Sequence, residues 1–283
     1  MIAFSIIIIN YRQKEFTENC VRSLKQHLPA DSYEIIVVNN SPEEEIIIDG
    51  IKIIENTNRG FPQANNLAAD SAQGKYLFFL NADTLTGKDF TKAFSDNFSD
   101  KEFGAVGLGM KNPDETPQLS FWKENSFLNE MRNKKQEEEF RARDKKTLNK
   151  FKQNRGIMQV DWVSGAAMII PRDIFAKLNG FDEEFFLFHE DADICKRIYI
   201  TGMKVFYLPF DGLVHFKGEN VNPEFKTDTY YHSKKSQILY YKKHNSIIQR
   251  IMLRIYLFSR FLFLSFKGKL YRRILKMVMG LEK

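Results

Sequence analysis

Only two cysteines, Cys20 and Cys195, occur in this chain of 283 residues. So few thiols exclude a disulfide framework and a cysteine-built zinc site, and they fit a reducing cytoplasm. Long uncharged apolar runs are missing too. Ser5 to Ile9 has no basic segment before it and is too short for the core of a signal peptide, so it reads as a buried strand. The longer apolar stretch, Ile247 to Phe266, is broken by Arg250, Arg254 and Arg260, which cost too much for a plain transmembrane span. No P-loop and no G-x-G-x-x-G follows the first strand, which disfavours P-loop NTPases and Rossmann dehydrogenases. Acids are nearly absent from the C-terminal region. From Lys234 onward almost the only one is Glu282, amid many Lys and Arg. The formal charge of +6 is therefore uneven, and the basic tail implies an anionic partner, a phospholipid surface or a phosphorylated substrate. No DNA- or RNA-binding motif accompanies it, so nucleic acid is not the expected partner.

What is present is an α/β pattern. A hydrophobic share of 43% against 28% charged marks a globular chain, long enough for one large domain with an appendage. Phe4 to Asn10, Glu34 to Asn39, Ile51 to Glu55 and Lys75 to Asn81 are apolar strand-like runs. Glu15 to Leu28 and Phe61 to Gln73 have helical spacing between them. Continuous apolar strands alternating with helices predict a mostly parallel sheet covered on both faces. Residues 1–229 are expected to form this domain, with a charged helical insertion at about 123–155. Residues 230–283 are expected to form a basic amphipathic helical region. There Ile247 to Phe266 would lie along an anionic membrane surface, its arginines snorkelling to headgroups and Lys267, Lys269, Arg272, Arg273 and Lys276 extending the contact.

Ligands of open α/β sheets bind at the carboxyl ends of the strands. Three strands here end in polar residues: Asn10-Tyr11, Asn39-Asn40-Ser41 and Asn81-Ala82-Asp83. Without a glycine cradle a bound diphosphate needs another source of positive charge, which a divalent cation on Asp83 would supply. Further along, Trp162-Val163-Ser164-Gly165 sets small residues beside an aromatic, either for close ligand approach or for tight packing. Then Phe188-His189-Glu190-Asp191-Ala192-Asp193 packs three acids into four residues after an aromatic-rich segment. Such acids are favoured at a helix N-terminus, and Asp193 can pair with Arg197 at i,i+4. Beside phenylalanines they also lose water, which raises a carboxyl's pKa toward that of a usable base.

Seven segments in order, SIIIINYR, EIIVVNNS, NRGFPQANN, YLFFLNADT, WVSGAAMIIPR, GFDEEFFLFHEDADICKR and GMKVFYLPFDGLVHFKGE, run from about residue 4 to 219. With them the chain resembles family 2 glycosyltransferases, inverting enzymes of the GT-A (Rossmann-like) fold, and within them the rhamnosyltransferase-like branch. The resemblance implies transfer of a sugar, rhamnose or else another hexose or an N-acetylhexosamine, from a dTDP- or UDP-linked donor to a hydroxyl of a glycan or lipid-linked acceptor; the alternative is a non-catalytic nucleotide-sugar- or glycan-binding module that kept the fold. It also implies a role in cell-surface polysaccharide synthesis on the inner face of the membrane. Asn10, Tyr11, Asn39, Asn40, Asn58, Arg59, Asn65, Asn81 and Asp83 would contact the donor. Asp83, with His215 in some relatives, would hold Mg²⁺ or Mn²⁺. Asp191 would be the general base with Glu190 beside it, and Trp162, Ser164 and Gly165 would wall the acceptor or donor sugar.

Overall fold

The structure, a computed structural model, describes residues 2–153, 156–217 and 223–281. Gly218 and Glu219 of the last motif, Arg155 at the end of the insertion and Glu282 lie outside the described residues. The first half begins β1 (Phe4–Asn10), α1 (Lys14–His27), β2 (Tyr33–Asn39), β3 (Lys52–Glu55), α2 (Phe61–Ala69) and β4 (Tyr76–Asn81). It continues with β5 (Thr84–Thr86), α3 (Phe90–Phe98), β6 (Ala105–Leu108) and β7 (Phe121–Trp122). The charged insertion is α4 (Phe127–Arg141) and α5 (Lys145–Gln153). Then come β8 (Met158–Val160), β9 (Trp162–Val163), β10 (Ala167–Pro171), α6 (Arg172–Lys177), α7 (Glu190–Ile200), β11 (Val205–Leu208) and β12 (Leu213–His215). Three helices close the chain: α8 (Pro223–His244), α9 (Ile247–Leu264) and α10 (Lys269–Met279).

Eight strands form one sheet in the order β3-β2-β1-β4-β10-β6-β11-β8. Neighbours pair in parallel except at β10 and β8, which run against the strands beside them. This is the expected mostly parallel α/β sheet with a C-terminal helical extension. Alternate residues of each strand serve opposite faces, as the period of two requires. Ile6, Ile8, Phe78 and Leu80 pack with Cys20 and Leu24 of α1 and with Phe90, Phe94 and Phe98 of α3. Ile7, Leu77 and Phe79 pack on the other side with Ala64 and Ala68 of α2 and with Ile194 and Ile198 of α7. Both faces are dry, which is why these strands read as unbroken apolar runs. Cys20 and Cys195 are buried free thiols, one in each layer.

The insertion is less solvated than its composition suggests. Phe140 of α4 and Leu148 of α5 bury against Leu119, with Trp122 and Phe151 beside them. The last three helices have a core of their own around Tyr231, Tyr240, Tyr241, Leu253, Leu257 and Phe261, which also takes in Phe185 and Ala192 from the acidic segment. Helix α8 runs unbroken through the boundary expected at 229–230.

A buried ion cluster locks α7 to its surroundings. Asp193 is 1% exposed. Its Oδ2 accepts from Arg197 Nε at 2.8 Å, and its Oδ1 lies 2.6 Å from His244 Nε2 on α8. Arg197 Nη1 donates onward to the carbonyls of Leu178 and Gly180 at 2.8 and 2.9 Å. Removing the acid from such a cluster leaves the half-buried guanidinium of Arg197 without its counter-charge. Asp193→Ala should therefore lose about 3 kcal/mol of stability in urea unfolding, with Asp193→Asn losing less.

Candidate active site

Register sets the floor of the site. Asn10 pairs with Asn39, and Ile9 with Asn81, so β1, β2 and β4 finish along one line. Strand β10 runs the other way, so the turn before it reaches the same edge: Asn81 N donates to Ala166 O at 3.0 Å. The short pair β5 and β12 sets His215 opposite Thr84, next to Asp83. Helix α7 then points its N-terminus at this edge. The chain reaches that helix through two successive left-handed residues, Phe188 (φ 67°) and His189 (φ 64°), a conformation that costs non-glycine residues energy.

A cavity of about 470 Å³ opens there. Of the residues expected to serve it, Tyr11, Asn40, Asn58, Asn81, Asp83, Ser164, Gly165, Glu190, Asp191 and His215 line it. Asn10, Asn39, Arg59, Asn65 and Trp162 do not. Asn10 and Asn39 are buried beneath the edge, where Asn10 Nδ2 donates to Asn39 Oδ1 (2.9 Å) and Glu44 Oε2 (3.0 Å). Asn39 Nδ2 donates to Glu55 Oε2 at 2.9 Å, so the two amides pin the edge together and draw in two carboxylates, Glu44 and Glu55, not anticipated from sequence. Asn65 is buried in α2, donating to Phe61 O. Arg59 is exposed. Trp162 stacks on Trp122, ring centroids 4.2 Å apart, and its Nε1 donates to Lys123 O. The segment before α2 is held close by Gly60 (φ 108°), where a Cβ would sit 2.7 Å from Phe186 O. That approach brings Phe61 and Phe186 to the cavity together.

The acids differ in their surroundings. Asp191 Oδ2 accepts from Gly165 N at 3.1 Å and its Oδ1 from Ala192 N at 2.8 Å. Burial raises its pKa, against those two backbone donors. Glu190 is pushed well above the ordinary carboxylate range, by burial first and then by the charge of Asp191. Its Oε2 is buried with no hydrogen-bond partner among the described residues. Behind the pair, burial pushes His189 down to about 3, and Asn125 Nδ2 lies 3.2 Å from its Nδ1.

His215 has a fixed orientation. Gln118 Nε2 donates to His215 O at 2.6 Å, which leaves Gln118 Oε1, 3.0 Å from His215 Nδ1, to accept a proton from the ring. Nε2 then faces Asp83 Oδ1 at 3.2 Å and Asn81 Nδ2 at 3.3 Å. A carboxylate oxygen beside a ring nitrogen whose far side is hydrogen-bonded is a donor set suited to a divalent cation. Among the described residues no group of three or more His, Cys, Asp or Glu side chains comes together for a metal, so these two would need ligands from a bound diphosphate and water.

A second chamber of about 420 Å³ adjoins the first, sharing Ser164, His215 and Lys217. Gln118, Trp122, Glu137, Arg141 and Arg143 complete its charged and aromatic lining. The insertion thus forms one wall of it, a role its composition alone left open.

The sheet order, the acid-tipped strand edge and the helix-borne acids define a GT-A fold. The description Glycosyl transferase family 2 matches residues 5–162. A second, N-terminal domain of galactosyltransferase, matches residues 146–219. The chain belongs to glycosyl transferase family 2. It is 24% identical over 233 residues to Rhamnosyltransferase WbbL of Escherichia coli (strain K12), covering 75% of this chain and 82% of that one. It is 28% identical over 86 residues to N-acetylglucosaminyl-diphospho-decaprenol L-rhamnosyltransferase of Mycobacterium tuberculosis (strain ATCC 25618 / H37Rv), 30% of this chain and 28% of that one. The fold matches the crystal structure of GalNAc-T7 with UDP, GalNAc and Mn2+ at a TM-score of 0.57 and 13% identity, over 85% of this chain but only 50% of that one. It matches S. aureus TarS at 0.51 and 16% identity, over 84% of this chain and 39% of that one.

The raised pKa of Glu190 has a thermodynamic sign. The native state holds its proton more tightly than the unfolded chain, so stability falls as pH rises from the ordinary glutamate value through the raised one. Glu190→Gln mimics the protonated form. It should melt higher than wild type at about pH 8 and no higher near pH 4, in scanning fluorimetry across that range.

Proposed function

We propose that the chain is an inverting glycosyltransferase that moves a sugar, rhamnose favoured, from a dTDP- or UDP-linked donor to a hydroxyl of a glycan or lipid-linked acceptor in cell-surface polysaccharide synthesis. One observation carries the reading. Asp191 is held by two backbone N–H groups in the same cavity as Asp83 and His215, a base and an anion-side site in one chamber. Two of the relatives are named as rhamnosyltransferases, which favours that sugar.

The donor's nucleotide lies over the strand edge between Tyr11, Asn40 and Asn58. Its diphosphate faces Asp83 and His215, which would hold Mg²⁺ or Mn²⁺. When bound, that cation supplies positive charge against the departing diphosphate. Asp191 takes the proton of the acceptor hydroxyl as its oxygen bonds to the anomeric carbon. The bond from that carbon to the diphosphate oxygen breaks in the same displacement, so the centre inverts. Glu190 carries its proton beside Asp191, leaving one carboxylate free to act. Gly165 adds no side chain above Asp191, where a Cβ would make ordinary contact with Asp191 and Phe61 at 3.5 to 3.8 Å.

The second chamber is the side from which the acceptor approaches. Lys217, Arg141 and Arg143 suit a phosphate-bearing acceptor, and one relative's name specifies a diphospho-decaprenol acceptor.

A thermal-shift panel of nucleoside diphosphates and nucleotide sugars, with Mn²⁺ and with EDTA, tests the donor without knowledge of the acceptor. A shift confined to dTDP or UDP compounds and dependent on metal is expected. No shift from any nucleotide would leave a binding module of another kind. Asp191→Asn should lower turnover by about two to four orders of magnitude while leaving that shift intact, whereas Asp83→Ala should abolish its metal dependence. Arg141→Gln should raise KM roughly tenfold for a diphosphate-linked acceptor sugar and leave KM unchanged for the same sugar on a neutral alkyl chain.

A further inference from the structure

Helix α9 has two apolar sides. Leu253, Leu257 and Phe261 are buried against α8 and α10. On the opposite side Ile248, Ile251, Ile255, Phe258, Leu262 and Phe263 are all exposed, Phe263 by 75%. At roughly 100° per residue these six fall within an arc of about 140°, and the helix is about 27 Å long. No charged residue interrupts that arc. The arginines expected to point toward headgroups lie outside that arc and bond to protein groups instead. Arg250 Nε donates to the carbonyls of Tyr241 and Asn245, and Arg254 Nη1 donates to Val278 O. Arg260 Nη1 donates to the hydroxyl of Tyr256.

The patch does not stop at the helix. Phe127, at the start of α4, meets Tyr256 edge-on with centroids 6.5 Å apart, and the next turn of α4 exposes Leu128 (78%) and Met131 (71%). Phe266, 88% exposed, extends it at the other end. An apolar surface of this size on a soluble domain marks an interaction site, and no helix of the described residues is long and apolar enough to cross a membrane.

Charge decides what covers it. Residues 230–281 contain twelve Lys and Arg and no Asp or Glu. Lys267, Lys269, Arg272 and Lys276 are exposed just beyond the apolar face. A second copy of this chain docked through α9 would bring two such acid-free regions together. An anionic bilayer supplies the opposite charge and the apolar depth at once.

We propose that the outer face of α9, joined by Leu128 and Met131 of α4, lies in the interface of an anionic lipid bilayer as the protein's membrane-docking surface. The inference stands independently of the transferase reading. Because α10 buries Ile274 and Val278 against α9, it docks only its basic face and inserts nothing.

Flotation of the full chain with vesicles of phosphatidylglycerol and phosphatidylcholine, against phosphatidylcholine alone, tests it. Wild type should float with the anionic vesicles and stay behind with the neutral ones, and about 0.5 M salt should weaken the binding. Ile251→Glu/Ile255→Glu changes only outward side chains. It should lower partitioning at least tenfold with the melting temperature unchanged. Leu128→Glu should lower it several-fold, which an account based on the C-terminal tail alone does not expect. Flotation of Ile251→Glu/Ile255→Glu equal to wild type overturns the proposal. So does a wild-type dimer in sedimentation that the same pair of substitutions converts to monomer, since a second copy would then own the face.

Discussion

The carboxylate of Asp193 is where three parts of the chain meet. Arg197 reaches it from one turn further along α7, His244 from the end of α8, and the same guanidinium ties down the carbonyls of Leu178 and Gly180. A buried acid is tolerated only with such partners, so the cluster forms as a whole or not at all. Two residues earlier, Asp191 reaches across to Gly165. Helix α7 is therefore fixed to the last helical layer at one point and to the sheet edge at another.

Just before those points the backbone holds two left-handed residues in succession, Phe188 and His189, with φ near 65°. Local strain of this kind persists only where surrounding contacts over-determine it. Here they do: Ser236 donates to Leu187 O, Asn125 approaches His189, and Phe186 accepts from Phe61 N. The burial that raises Glu190 and lowers His189 comes from the same tight packing. Both shifts favour the uncharged forms of the groups beside Asp191.

Much of this was legible in the sequence, for identifiable reasons. Strands buried on both faces write continuous apolar runs, so β1, β2 and β4 and their polar ends stood out. Three acids in four residues announced the start of α7. The pairing of β5 with β12 was not legible, because three-residue strands carry no periodicity, and the contact of His215 with Asp83 and Gln118 depends on it. Strand-end asparagines look alike whether they face a ligand or each other, which is why Asn10 and Asn39 gave no sign of their partners Glu44 and Glu55. His244 lies 51 residues from Asp193, beyond any local pattern. Helix α9 misled about its arginines for a different reason. Periodicity reveals a buried face only when the opposite one is polar, and in α9 both are apolar.

The shared core of the last three helices with Phe185 and Ala192 bears on how the chain can change over evolution. Thr229 of α8 also lines the main cavity. An appendage joined by a linker can be traded between relatives like a cassette, but one whose aromatic residues pack beneath α7 cannot. A crossover between β12 and α8 would unite a foreign tail with Phe185 and Asp193 and leave both mismatched. The outer face of α9 need only stay apolar, while Tyr240, His244 and the inner face of α9 must change in step with the acidic segment.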